Sequence, residues 1–148
     1  AAQFNFLNTI KHKFEQTQKT IKDIRIIRNQ INGLKDKMGD DYPNDLDSMG
    51  KKINTKLTEV EEHLYQTKAK SGQDVLNYPI RLNDKLAGVF NAANQHTAPT
   101  QSAQDAYIEV AAKIDIEINA FKTILDTDVN VYNKAVREKE IGFIMLKK

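Results

Sequence analysis

The chain has no cysteine and no tryptophan, and only six glycines and three prolines in 148 residues. Without cysteine there is no disulfide, no thiolate nucleophile and no zinc site built on sulfur. Glycine and proline this sparse, gathered in a few places, disfavour many short strands and favour long helices. No uncharged apolar run approaches the roughly 20 residues that a membrane span needs. An excess of one charge is lacking as well: the net charge is +2, with 28% charged and 40% hydrophobic residues. That balance suits one soluble domain with one core and is too weak to imply nucleic acid. The chain opens Ala1-Ala2-Gln3 with no signal-peptide pattern, which suggests a piece of a larger protein.

What is present is helical periodicity. Phe4, Leu7, Ile10, Phe14, Ile21, Ile24, Ile31, Leu34 and Met38, with Thr17 and Ile27 between them, recur in steps of three and four. Such a stripe predicts an amphipathic helix over 3–38, closed by Lys35, Lys37 and the terminator Gly39. After the turn at 40–44, Leu46, Met49, Ile53, Leu57, Val60, Leu64 and Thr67 predict a helix over 45–70, capped by Asn44 or Asp45. Gly50 lies inside it at a cost of up to about 1 kcal/mol relative to Ala. Pro79 suits the first turn of a short helix over 80–94. Tyr107, Val110, Ile114, Ile118, Phe121, Leu125, Val129, Tyr132 and Val136 predict a long helix over 101–139 that starts at Thr100 or Ser102, with Asp105 as capping partner of Ser102. The tail 141–148 is apolar on consecutive positions, from Ile141 to Leu146, and ends in two lysines.

The fold expected is therefore all-α, a single helical-bundle domain over 1–140. At 1.5 Å per residue the first and last helices reach roughly 54–58 Å, the second roughly 39 Å and the third about 22 Å. Helices two and three laid end to end match one long helix. One layout is thus three long rods with the middle one broken near Ser71–Pro79, and the other is an up-down-up-down four-helix bundle with one short member. Residues 1–39 hold eight Lys/Arg against three Asp/Glu, and residues 101–130 hold two against six. Complementary faces of adjacent first and last helices account for this segregation.

The motifs that carry chemistry are missing one after another. None of His12, His63 and His96 stands three residues after an acid, so the Glu-x-x-His pairs of di-iron bundles are absent. Asp45-Leu46-Asp47 begins like a calcium loop, but Met49 and Lys56 occupy positions that need oxygen ligands. Asp115 and Glu117 flank the last apolar stripe and are expected to pair with first-helix lysines. Phosphate-binding loops and nucleophile elbows are not present. No catalytic, cofactor-binding or metal residue is expected. The one irregular feature is Leu76, Tyr78, Pro79, Ile80 and Leu82, an apolar cluster in a loop, expected to plug the helix break or to touch another domain.

The run Asp74-Val75-Leu76-Asn77-Tyr78-Pro79-Ile80-Arg81-Leu82-Asn83-Asp84-Lys85-Leu86 resembles a segment near the C-terminus of bacterial sortilin-like or BNR (Asp-box) β-propeller "glycosyl hydrolase" proteins. Pro99-Thr100, Ala106-Tyr107 and the helix through Asp115 to Asn133 extend the likeness. The resemblance implies a helical module after propeller repeats, in an exported (periplasmic or extracellular) protein, with the upstream propeller as its partner. It carries no catalytic residue onto this chain. The function expected is a non-catalytic structural or interaction module. The alternatives are an accessory segment beside a glycosidase site and a self-associating coiled coil, hence a homo-oligomer.

Overall fold

A computed structural model describes residues 2–65, 82–94 and 100–139, with side chains of the first helix described from Asn5 onward. Every element among them is helical: α1 (Ala2–Met38), α2 (Asn44–Leu64), α3 (Leu82–Ala93), α4 (Gln101–Ile124) and α5 (Asn130–Glu138). A 3₁₀ turn, Gly39–Asp41, follows α1, and a π turn, Leu125–Val129, joins α4 to α5. The protein is an all-α antiparallel bundle. The ends of the predicted second and third helices, 66–70 and 80–81, lie outside the described residues, as do Phe4's side chain and the tail from Glu140.

The turn between α1 and α2 is built from local chemistry. Gly39 takes φ 55°, a left-handed value that suits glycine and ends α1 where the sequence predicts. The N–H of Tyr42 then donates to the Gly39 carbonyl at 3.1 Å. The expected cap at Asn44 or Asp45 is not found. Pro43 is the extended residue before α2, and no side chain caps the helix. Instead Asp45 and Asp47 supply negative charge in the first turn, where the helix dipole favours it. The start of α4 follows its expected alternative: Thr100 Oγ1 accepts from the N–H of Ala103 at 3.1 Å, while Asp105 accepts from Gln101.

The contacts choose between the two layouts. Phe6 meets Tyr107 edge-on at 5.9 Å and Lys13 pairs with Asp115 at 2.6 Å, so α1 and α4 run parallel. Lys35–Asp47 and Arg25–Glu61 set α2 antiparallel to α1, and Lys56–Asp128 with His63–Glu117 set it antiparallel to the α4–α5 rod. Next along α1, Gln18 donates to Asn83 at the start of α3. The flank of α1 above Gln18 is taken by α2, so α3 continues downward in line with it. Two long rods therefore sandwich a broken middle one, which is the three-rod arrangement.

The core is the predicted stripes brought face to face. Ile10, Ile24, Leu46, Ile53, Leu57, Leu64, Leu86 and Ile114 are almost wholly enclosed. Each such side chain stabilises the fold by about 1.5–3 kcal/mol through removal from water. Thr17, a polar residue in the α1 stripe, is fully buried and satisfies its hydroxyl by donating to the Lys13 carbonyl at 2.9 Å. The second helix stops earlier than its stripe predicts, because Tyr65 is extended with φ −140° and ψ 135°. No glycine or proline marks this end. The Tyr65 ring instead lies beneath the Arg25 guanidinium, 5.9 Å away.

The candidate docking groove

The long C-terminal rod changes partners at the π turn. Before it, α4 packs against α1, α2 and α3; after it, α5 packs against α2, and no Cα of α5 comes within 8 Å of α1. The extra residue of a π turn shifts the phase of the helix that follows. Here the shift carries α5 along α2 and away from α1. The two outer rods, in contact near Lys13 and Asp115, are thus splayed at the opposite end.

The splay opens a groove of about 930 Å³. Its floor is Ile31, Ile53 and Tyr132, all buried, and its walls carry Ile27 and Leu34 from α1, Val129 from the π turn and Val136 from α5. Gln30, Asn133, Lys37 and Arg137 form the polar rim. Gly33 lies in the α1 wall, and a β-carbon there would meet nothing within 4 Å, so that wall stays low. The concavity is chiefly apolar and has no carboxylate, histidine or thiol among its described lining residues. It can bury a hydrophobic side chain.

Beneath one end of the groove, Tyr42 and Tyr132 bring their hydroxyls to 2.8 Å, and Tyr42 also reaches the Leu46 carbonyl at 3.2 Å. A carbonyl only accepts, so the Tyr42 proton goes to Leu46 and the Tyr132 proton goes to Tyr42. Burial, reinforced by the Tyr42 hydroxyl, pushes the Tyr132 phenol far above its ordinary value. Tyr132 therefore stays neutral and acts as a fixed donor. Replacing it with Phe leaves Tyr42 still bonded to Leu46, so the expected loss is about 0.5–1.5 kcal/mol. Denaturant unfolding of Tyr132→Phe measures it.

The charged side chains largely answer one another between helices. Glu61 is buried and accepts from Arg25 at 3.0 Å and from Arg28 at 3.2 Å, while Arg28 also donates to Thr58. Of the two acids that flank the α4 stripe, Asp115 does pair with Lys13 of α1, but Glu117 accepts from His63 of α2 at 2.8 Å. Lys56, at the position where a calcium loop needs its last ligand, is held by Asp128 at 2.6 Å. Asp47 is bonded by Lys35 and Lys51, and Asp45 by Lys139; these lysines hold both carboxyls below the usual carboxylate range.

A depressed carboxylate pKa contributes stability that is complete above the unfolded value of 3.8 and lost as pH falls through the lower folded value. The thermal midpoint should therefore drop on acidification below about pH 4, and Asp47→Asn should flatten that acid limb. Asp45 is exposed and Asp47 is reached by solvent in part, so added salt should weaken the effect.

Of the residues expected to contact another domain, Leu82 is 8% exposed and buried at the start of α3, where it joins the core. Leu76, Tyr78, Pro79 and Ile80 lie outside the described residues, as does His96. Among the described residues no group of three His, Asp or Glu is placed to hold a metal ion, and no helix is long and apolar enough to cross a membrane.

Fold and site together define a class: a helical bundle with a hydrogen-bonded polar network inside it and an apolar groove between splayed rods. Compared with protein-family models, with curated proteins and with solved structures, the chain matches none. The likeness to the propeller proteins thus rests on the residues of the 74–86 run and its extensions alone. Sequence reasoning placed the groove residues in the core. Only their side-chain type was visible; the phase shift at 125–129 that uncovers them leaves no mark in the apolar spacing.

Proposed function

We propose that this chain is a non-catalytic structural and interaction module, a rigid three-rod spacer that works by presenting its surface. One observation carries the reading: the buried polar groups Glu61, Thr17, Tyr42 and Tyr132 each bond within the fold, and Asn54 Oδ1, which has no partner among the described residues, does not line the groove. A catalytic site needs a convergent polar cluster with spare hydrogen-bonding capacity, and the groove is lined chiefly by aliphatic side chains. The parent in this proposal is an exported propeller protein, with the module packed on or projecting from its propeller, as the run around Asn77-Tyr78-Pro79 suggests.

The test is a panel of chromogenic glycosides, esters and phosphate esters offered to the isolated chain. No turnover above that of the unfolded protein is expected. Turnover that falls when His63 or Asp115 is replaced, with helix content unchanged, would overturn the proposal.

A further inference from the structure

The helix α4 is apolar on two faces. Val110, Ile114, Ile118 and Phe121 point into the core and are buried. On the opposite side stand Ile108 and Ile116, each 64% exposed, with the exposed Ala112 between them. Steps of four residues set these three side chains on one ridge, within an arc of about 80° and over a length of about 12 Å. Among the described residues no element covers the ridge. Ile26 of α1 and Val131 of α5 are exposed as well, but each stands singly, which is ordinary for a protein surface. Two isoleucines on one ridge make a surface that a matching ridge would remove from water.

The charges around the ridge decide what it fits. On one flank Glu109 and Lys113 pair within the helix at 3.4 Å. On the other, Asp115 is held by Lys13 at 2.6 Å. These four groups cancel, so they leave no field that would select an acidic or a basic partner. The face is instead complementary to itself. Let two copies of α4 cross antiparallel with Ala112 at the dyad. Ile108 then lies level with Ile116 of the second copy, and Asp105 with Asn119. A dyad perpendicular to both helices keeps each flank on its own side, so Glu109 comes beside Lys113 of the second copy, and the pair is repeated by symmetry. Asp105, which accepts from Gln101 in its own helix, gains the Asn119 amide as a second donor. Ala112, the smallest side chain of the ridge, lets the two axes approach at the centre.

We infer that this ridge is a self-association surface, on which a second copy of the chain docks α4 against α4, antiparallel about Ala112. The inference names a partner for the interaction module and rests on that reading. Turnover and self-association are separate measurements, so either can fail alone. The contact is small, and the dimer it makes is weak and reversible.

Sedimentation equilibrium of the full chain tests it. A monomer–dimer equilibrium is expected between about 10 µM and 1 mM. Ile116→Glu sets a carboxylate against Ile108 of the second copy and should weaken dimerisation about tenfold or more, with helix content unchanged because the position is exposed in the monomer. Val131→Glu, at a residue nearly as exposed but off the ridge, should leave dimerisation within about twofold. Combining Ile108→Lys with Ile116→Glu should restore association about tenfold over Ile116→Glu alone, because only the antiparallel dyad brings the opposite charges level. A chain that stays monomeric at about 1 mM would overturn the inference. So would a dimer that Ile116→Glu leaves intact, or one that Val131→Glu weakens equally, since either places the contact off the ridge. A double variant as monomeric as Ile116→Glu would overturn the antiparallel pairing.

Discussion

Replacing Arg25 and Arg28 together with alanine should destabilise the fold by about 3–5 kcal/mol, because it strands a buried carboxylate. Glu61 is only 6% exposed, and its two oxygens are divided between the two guanidiniums. Removing both cations leaves a carboxylate in the α1–α2 seam with neither partner. The single variants should each cost less, Arg28→Ala more than Arg25→Ala. The Arg28 side chain is the less exposed of the two, 24% against 53%, and also holds Thr58. Arg25 has a second role in covering Tyr65, so its loss should also loosen the C-terminal end of α2. Urea unfolding followed by circular dichroism measures all three. A double variant within about 1 kcal/mol of the parent would show that this pairing contributes little.

The second large effect is expected at Gly50. By propensity alone an alanine in mid-helix gains up to about 1 kcal/mol over glycine. The structure reverses the expectation for anything larger than a methyl. A Cβ at Gly50 would stand 3.0 Å from Ile31 Cγ2, 3.3 Å from the Tyr42 hydroxyl and 3.8 Å from the Tyr132 ring. Gly50→Ala can be met by a small movement of the Ile31 methyl, and its net effect should lie near zero. Gly50→Leu has no such remedy. It must push α1 off α2 or break the tyrosine pair, for about 2–4 kcal/mol as a strongly overpacked core site. Hydrogen exchange at the α1–α2 seam should rise in Gly50→Leu, and a Leu variant as stable as the parent would mean that α2 is free to shift.

These two sites show what is and is not legible in the residues. The seams are legible because steps of three and four survive any tertiary context: Ile10, Ile24, Leu57 and Ile114 belong inside by spacing and are inside. Helix ends with a chemical mark are legible too, as at the stop Gly39 and the start Thr100. Ends without a mark are not, and Tyr65 breaks α2 with no glycine or proline nearby. Partner choice among charges is only half legible. The basic first helix and acidic fourth helix do meet at Lys13–Asp115, yet α2 takes most of the remaining pairs through Glu61, Asp47, Lys56 and His63. The choice between three rods and four helices turns on the direction of α3, which depends on the space α2 leaves beside α1. Apolar spacing within one helix holds no record of that space.

The π turn at Leu125–Val129 has a consequence in counting. A π turn is one residue more than an α-helix needs over the same rise. Were Leu125–Val129 wound as regular α-helix with all five residues kept, every later side chain would be rotated by about 100°. Tyr132 would leave Tyr42, and Val131, now 54% exposed, would turn toward the bundle. The open end of this molecule is thus a matter of frame: one wider turn in an otherwise ordinary helix decides which side chains face the bundle.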